Sequence, residues 1–488
     1  MKLGKLIEKL DVISSSADEE IEITGISYDS RTVEPGNVFV AVRGFEADGH
    51  RFIPNAVKAG ASVIICEEVP DDLRVPWIAV ANARRALALV SCAFYDDPAE
   101  KMTVIGITGT SGKTTSTNLV KHILETASDA KVGLIGTNGN MIGDKLLHTE
   151  HTTPESLELQ KLFAEMLREG CTHVVMEVSS HALSLDRVAG IRYDAAAFTN
   201  LSQDHLDFHG TMEAYAEAKS ILFGMCGAAC INIDDPAAGV MLASAEKSGC
   251  RIISSSIENG DAVLSAKDLS LSSSGISFTA VSHEGSAVVR LAIPGKFSVY
   301  NALTAISVCM ACGIPLEKCA SALESAKGVK GRVENVPVNG DYTVLIDYSH
   351  KPDALENVLK TLRPVTKGRL IVLFGCGGDR DRKKRPIMGK VAVENADVTV
   401  VTSDNPRTEK PEDIISEILE GIKDPSGVVK VIVDRIEAIH WAIDNAAPGD
   451  VVLLAGKGHE DYQVIGHEKI HMDEREIVYD YLKEKSIL

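Results

Sequence analysis

At 488 residues the chain exceeds one ordinary domain of roughly 150 residues, and its 45% hydrophobic content is that of a folded globular protein. Asp plus Glu total 69 against 50 Lys plus Arg, a formal charge of −19, and such a field disfavours nonspecific binding of nucleic acid. The start, Met1-Lys2-Leu3-Gly4-Lys5-Leu6-Ile7-Glu8-Lys9-Leu10, is charged and helical in period. No run reaches the ~18 apolar residues of a membrane span, so a cytoplasmic protein with no membrane insertion is expected. Its ten cysteines show no disulfide or zinc framework and fit a reducing compartment.

In chain order the sequence reads as three α/β blocks. Residues 1–98 alternate short strands (Val38–Val42, Ser62–Cys66, Trp77–Val80) with helical segments. Residues 99–333 open on a strand at Val104–Ile107, a Gly-rich loop, and a helix with Leu119, Val120, Ile123 and Leu124 at helical spacing. Further strands are expected at Lys131–Ile135, Thr172–Val178 and Asp194–Phe198, and alternation over Gly275–Ile293 predicts an antiparallel region. Residues 334–488 place strands at Val344–Ile346, Leu370–Phe374, Val398–Thr402, Val429–Val433 and Val451–Leu454, with helix-length segments between them. That order predicts a largely parallel sheet.

The loop Thr108-Gly109-Thr110-Ser111-Gly112-Lys113-Thr114-Thr115 joins a strand to a helix. Glycines let backbone N–H groups face a phosphate, and the helix N-terminus adds positive potential. Lys113 would reach the terminal phosphates and Thr114 would hold Mg²⁺. Ile107 stands where the strict phosphate-loop pattern has its first Gly, but the strand–loop–helix context is right. This loop alone leaves GTPase, kinase, transport ATPase and ligase open. Glu177 ends a buried-strand pattern, a place suited to a hard Mg²⁺ ion. His205 and His209 stand with Asp204 and Asp207 at the end of the next strand. From spacing alone, a solvated polar turn is the other reading.

Together these residues resemble the Mur ligase family, the ATP-dependent amide ligases of peptidoglycan precursor synthesis. The phosphate loop is similar to the family's G-T-x-G-K-T-T. Glu177-Val178-Ser179-Ser180-His181, Asn200-Leu201-Ser202 with Asp204-His205-Leu206-Asp207, and Asp347-Tyr348-Ser349-His350-Lys351-Pro352 resemble further family motifs. Tyr300-Asn301-Ala302 resembles the segment on the adenine side, and Gly331-Arg332-Val333-Glu334 the one near the domain junction. The resemblance implies three domains: 1–98 for a uridine-linked substrate, 99–333 for ATP, and a Rossmann-like 334–488 for an amino acid. The central domain would carry a mostly parallel sheet with a small antiparallel part.

Within the family, the chain is most similar to members adding the third peptide residue. The resemblance assigns Gly109, Thr110, Ser111, Gly112, Lys113, Thr114, Thr115, Asn301 and Arg332 to ATP. Ser30, Thr152, Thr153, Ser179 and Arg187 would contact a UDP-muramoyl-dipeptide. Gly44-Phe45-Glu46-Ala47-Asp48-Gly49 would lie near the uridine, where some relatives carry Gly-His-Gln. Asp404-Asn405-Pro406-Arg407 marks diaminopimelate-adding members; with Arg380, Gly456 and Glu460 it would form the amino-acid pocket. Two Arg and one Glu around a zwitterion suit diaminopimelate, because Arg grips a carboxylate bidentately.

The implied reaction makes an acyl phosphate from a D-glutamyl carboxylate and ATP; the incoming amine then displaces phosphate. Positioning and charge neutralisation would carry it. Thr114, Glu177, His205 and Lys219 are the expected metal ligands, the last as a carbamate (N6-carboxylysine). From sequence alone Lys219 is a solvated helix lysine. The expected catalytic residues are Lys113, Lys219, His205, His350 and Asp347, the last two orienting the acyl phosphate. Small-molecule substrates and a monomer are expected. The alternatives are the same reaction with L-lysine, a related ligase such as folylpolyglutamate synthetase, and a regulatory phosphate-loop ATPase.

Overall fold

The computed structural model describes residues 1–44, 47–147, 149, 151–326, 328–423 and 425–485; Phe45 and Glu46 of the uridine segment lie outside them. The chain divides into two compact units: Met1–Leu264 with Thr304–Pro315, and Ser265–Leu303 with Leu316–Leu488.

The first unit holds two sheets. In the smaller, strand order is Val12–Ser15, Trp77–Val80, Val63–Cys66, Asn37–Val40, Gly25–Ser27. All neighbours run parallel except the exposed first strand, which is antiparallel to Trp77–Val80. The larger sheet lines up Arg251–Ser256, Cys226–Asn232, Tyr193–Phe198, Thr103–Thr108, His173–Glu177 and Val132–Ile135, all parallel. Asn140–Ile142 and Lys145–Leu147 follow antiparallel. Thr103–Thr108 is buried on both faces, which its near-continuous apolar run reflects. Helix Lys113–Ser128 buries Leu119, Val120, Ile123 and Leu124, the stripe expected from its period. Val104, Phe163, Met176, Phe198 and Phe223 share the core beneath the sheet.

The second unit contains the antiparallel pair Gly275–Ser282 with Gly285–Leu291, in the region where alternation predicts one, and strand Leu264–Ser272 lies next to Gly275–Ser282. Its main sheet has the order Glu334–Val336, Thr343–Asp347, Val451–Ala455, Leu370–Phe374, Val398–Val401, Val428–Val431. Only Glu334–Val336 is antiparallel to its neighbour. The last strand stops at Val431, two residues before its expected end: Val433 is exposed, and its carbonyl accepts from the Ser403 N–H and the Thr402 hydroxyl. The hairpin Tyr462–Ile465 with Glu468–His471 was not foreseen, because its strands are polar and exposed.

Candidate active site

Two neighbours flank the central strand Thr103–Thr108, so three strand ends lie side by side. Ligands in open α/β sheets bind at such carboxyl ends. Gly109 leaves the strand with φ +148°, and Gly112 enters the helix with φ +83°. The neighbouring strand's end braces the loop. Thr199 Oγ1 and Asn200 Nδ2 donate to the Ser111 carbonyl at 2.7 and 3.1 Å, and the Ser111 N–H donates to Asn200 Oδ1 at 3.0 Å. No described side chain caps helix Lys113–Ser128, so its first-turn N–H groups suit an anion. Lys113 Nζ curls back onto the Gly109 and Thr110 carbonyls at 2.8 and 2.9 Å.

Glu177 is buried at the end of the strand on the other side. Its Oε1 accepts from Thr114 Oγ1 and the Thr137 N–H, both at 2.9 Å, and its Oε2 from Thr137 Oγ1 at 3.1 Å. The Glu177 carboxylate with the Thr114 and Thr137 hydroxyls beside it is a hard-oxygen set that fits Mg²⁺. Lys219 is 1% exposed and donates to the Gly109 carbonyl at 3.0 Å. Burial, then the nearby Lys113 charge, drive its pKa well below the ordinary lysine value, which favours the neutral amine. This corrects the solvated-lysine reading. His205 has left-handed backbone, φ +53°, and its ring lies 4.8 Å from that of His181.

Thr152, Thr153, Ser179 and Arg187 gather at the same strand end. Thr153 Oγ1 donates to the Glu177 carbonyl at 2.8 Å and accepts from the Ser179 N–H at 3.1 Å. Thr152 Oγ1 lies 3.0 Å from Thr137 Oγ1. Arg187 donates to the Thr153 carbonyl at 3.1 Å and pairs with Glu155 at 2.7 Å, so it braces this loop. Ser179 caps the short helix Ser180–Ser184. Ser30 is half-buried in the turn that follows strand Gly25–Ser27.

In the second unit, the ends of Thr343–Asp347, Val451–Ala455, Leu370–Phe374 and Val398–Val401 are adjacent. Their loops enclose a cavity of about 640 Å³ lined by His350, Arg380, Asp404, Asn405, Arg407, Gly456 and Glu460. Pro406 does not line it and faces a separate cavity beside Trp441. Beneath the floor, Lys457 is fully buried and donates to Asn405 Oδ1 and Glu460 Oε2, both at 3.2 Å. It balances Asp404, 3.8 Å away, and Glu460. Asp347 is buried, accepts from the Val333 N–H at 2.8 Å and from the Ser349 hydroxyl, and burial pushes its pKa up. His350 Nδ1 lies 2.8 Å from the Tyr348 carbonyl, and burial pulls its pKa down. A neutral imidazole with its proton on Nδ1 leaves Nε2 as an acceptor. The Arg332 guanidinium lies 5.3 Å over the Tyr348 ring, and Asn301 is buried in helix Lys296–Ala311.

Sequence reasoning missed Thr137, Lys457 and the bracing role of Thr199 and Asn200. Asn200 stands inside a family motif and Lys457 between the expected Gly456 and Glu460, so type and place were visible but not burial. Thr137 carried no signal.

Residues 22–95 match the family described as Mur ligase family, catalytic domain, residues 107–309 Mur ligase middle domain, and residues 331–458 Mur ligase, glutamate ligase domain. The chain is 47% identical over 487 residues to the UDP-N-acetylmuramoyl-L-alanyl-D-glutamate--2,6-diaminopimelate ligase 1 of Clostridium acetobutylicum, covering 99% of this chain and 100% of that one. Identity to the Bacillus licheniformis diaminopimelate ligase is 45% over 488 residues, 98% of each. A solved diaminopimelate ligase superposes with TM-score 0.78 at 33% identity, covering 100% of this chain and 99% of the other. A folylpolyglutamate synthase of Mycobacterium tuberculosis complexed with ADP and AMPPCP shares the fold alone: TM-score 0.61, 18% identity, 76% and 92% coverage.

Proposed function

The chain belongs to the Mur ligase family, and from that premise we propose that it joins meso-diaminopimelate to UDP-N-acetylmuramoyl-L-alanyl-D-glutamate at the expense of ATP. The observation that carries the reading is the cavity lined by Arg380, Asp404, Arg407 and Glu460. Two guanidinium groups suit two carboxylates, and the acidic pair suits an ammonium. Full-length similarity to diaminopimelate ligases supports the same choice.

In this reading residues 1–98 hold the uridine-linked substrate, 99–333 ATP, and 334–488 the amino acid. The D-glutamyl carboxylate oxygen attacks the γ-phosphorus, and the bond to the bridging oxygen breaks to release ADP. The amine of diaminopimelate then attacks the acyl carbon, the carbon–oxygen bond to phosphate breaks, and the amine's proton leaves to a base. The phosphate loop from Gly109 to Thr115 grips the triphosphate, with Asn301 and Arg332 on its nucleoside side. Lys113 offsets the phosphoryl charge. Thr114, Glu177, His205 and Lys219 would hold Mg²⁺, which supplies further charge neutralisation when bound. The Lys219 amine, its pKa lowered by burial, can add carbon dioxide from its deprotonated form, with loss of a further proton, and become an anionic oxygen ligand. Thr152, Thr153, Ser179 and Arg187 orient the muramoyl-dipeptide, Ser30 its uridine end. Neutral His350 and buried Asp347 orient the acyl phosphate.

In this reading the enzyme works as a monomer in the cytoplasm. Its described helices include none long and apolar enough to cross a membrane. The test is ADP release with UDP-muramoyl-dipeptide, scanned across diaminopimelate, lysine and ornithine. Turnover far more efficient with diaminopimelate than with lysine or ornithine is expected; turnover without any amino acid would point to a plain ATPase.

A further inference from the structure

Below the amino-acid cavity lies Arg385, which does not line it. Its guanidinium is 0% exposed, in the first turn of helix Lys384–Asn395. It donates to both oxygens of Glu409 at 2.8 and 2.9 Å, to Glu417 Oε2 at 2.9 Å, and to the Gly377 carbonyl at 3.2 Å. Burying such a charge carries a large desolvation penalty, and well-packed apolar residues often stabilise as much, so stability alone does not account for the ion.

Glu409 continues the network upward. Its Oε1 accepts from the Asp379 N–H at 2.6 Å, and the Asp379 carboxylate accepts from the Thr408 N–H and hydroxyl at 3.1 and 2.8 Å. Asp379 immediately precedes Arg380, and Thr408 immediately follows Arg407. Between them the Gly378 N–H donates to the Asn405 carbonyl at 2.9 Å, and Arg407 Nη1 donates to the Gly378 carbonyl at 2.8 Å. Asp379 and Arg407 both hold left-handed backbone, φ +52° and +51°. Non-glycine residues keep that conformation only where their surroundings over-determine it. The loops bearing the two cavity arginines are thus one braced unit, anchored on Arg385.

We propose that Arg385 is a positioning residue that fixes the spacing of Arg380 and Arg407, and through it the selectivity for an amino acid with two carboxylates over one with a single carboxylate. The inference rests on the acceptor reading given above. Arg385→Lys keeps the charge, but one ammonium cannot span two carboxylates and a carbonyl with the fork geometry of a guanidinium. The loops then relax, and a ligand needing both arginines at a set distance suffers more than one needing a single contact.

The experiment measures kcat and KM for diaminopimelate, lysine and ATP in wild type, Arg385→Lys, Glu409→Gln and Arg407→Ala, with a thermal melt of each. In Arg385→Lys the ratio of kcat/KM for diaminopimelate to that for lysine should fall roughly tenfold or more, the scale of one lost charge-assisted contact. The loss should sit in the diaminopimelate KM, with the KM for ATP unmoved. An equal fall for both amino acids, or an unchanged ratio, overturns the proposal and leaves Arg385 a structural ion. Should Arg385→Lys fail to fold, Glu409→Gln decides: its amide oxygen still accepts from Asp379, its charge is gone, and the ratio must fall likewise. Arg407→Ala separates the two claims. If it leaves diaminopimelate use intact, the acceptor reading fails and takes this proposal with it. If it cripples diaminopimelate use while Arg385→Lys and Glu409→Gln do not alter selectivity, only this proposal fails.

Discussion

A Cβ built on Gly109 would stand 1.8 Å from Thr199 Oγ1, the hydroxyl that braces the phosphate loop through Ser111. Glycine is therefore required there for space as well as for φ. Lys113, four residues on, is expected to matter for charge and not for folding, since its bonds are to loop carbonyls that water can also serve. Lys113→Ala should keep the wild-type melting temperature within a few degrees and lose roughly a thousandfold or more in ATP turnover; near-native turnover would refute the phosphate-loop assignment. His459 offers a test by pH. Burial, with Arg332 and other cations nearby, pulls its pKa to about 4 from the ordinary 6.5, and its Nδ1 is buried without a partner among the described residues. The unfolded chain takes up this proton as pH falls through 6.5, whereas the folded chain does so only near 4. Stability tied to this group is thus complete above pH 6.5 and declines down to about 4. His459→Gln should flatten that part of the curve, measured as the melting-temperature difference between pH 7 and pH 4.5. An unchanged slope would mean that other groups set it.

The elements that carry the site were largely legible as strands ending in motif loops. Apolar runs bounded by Gly and polar clusters announce buried parallel strands, and the five expected in 334–488 are present with small shifts at their ends. The N-terminal helical period shrank to Leu3–Ile7, because the chain turns at once into the exposed edge strand Val12–Ser15. Polar ion-pair scaffolding was not legible. Arg435 and Glu474 are a buried pair 2.8 Å apart, and Arg435 also donates to the Ser403 and Ala455 carbonyls. Those carbonyls directly precede Asp404 and Gly456, so one guanidinium ties together two strand ends that bear the amino-acid cavity. A sequence shows an Arg and a Glu 39 residues apart with no sign that they meet. Glu474→Ala should leave the guanidinium buried and uncompensated, destabilising the C-terminal sheet by about 3–5 kcal/mol. Urea unfolding checks this, and the double change Arg435→Met with Glu474→Leu should recover much of the loss.

At the scale of the whole molecule, solved structures under 25% identical share the fold over most of the chain, so the fold by itself does not identify an acceptor, which has to be argued from the site. The loop types were readable as motifs; the distances between them were not, since those depend on strand order. The acceptor cavity makes a quantitative expectation. Lysine is diaminopimelate without its distal carboxylate, and a pocket that pairs this group with Arg407 is left with an unsatisfied guanidinium when lysine enters. Discrimination by a missing polar group reaches ~10⁴, against ~10–200-fold for a missing methylene. Wild-type enzyme should prefer meso-diaminopimelate by at least ~10³ in kcat/KM, and Arg407→Ala should lose most of that preference while changing lysine use little. Equal wild-type efficiency with both amino acids would sink the specificity claim and spare the ligase assignment.

The contact between the two arginine loops also bears on how an inhibitor of this pocket could be escaped. A Cβ on Gly378 would fall 1.9 Å from the Pro406 carbonyl oxygen, and one on Gly377 would fall 2.9 Å from Arg407 Nη1. Every amino-acid replacement of a glycine brings a Cβ, so no missense change at Gly378 leaves the two loops in place, whereas one at Gly377 displaces only the tip of the Arg407 side chain. A compound that takes its affinity from the backbone of this stretch thus faces a wall that resistance cannot reshape without dislodging Arg407. Saturation mutagenesis under selection for growth should return only glycine at 378, and escape from such a compound should map to the exposed rim near Arg380 and Asp381.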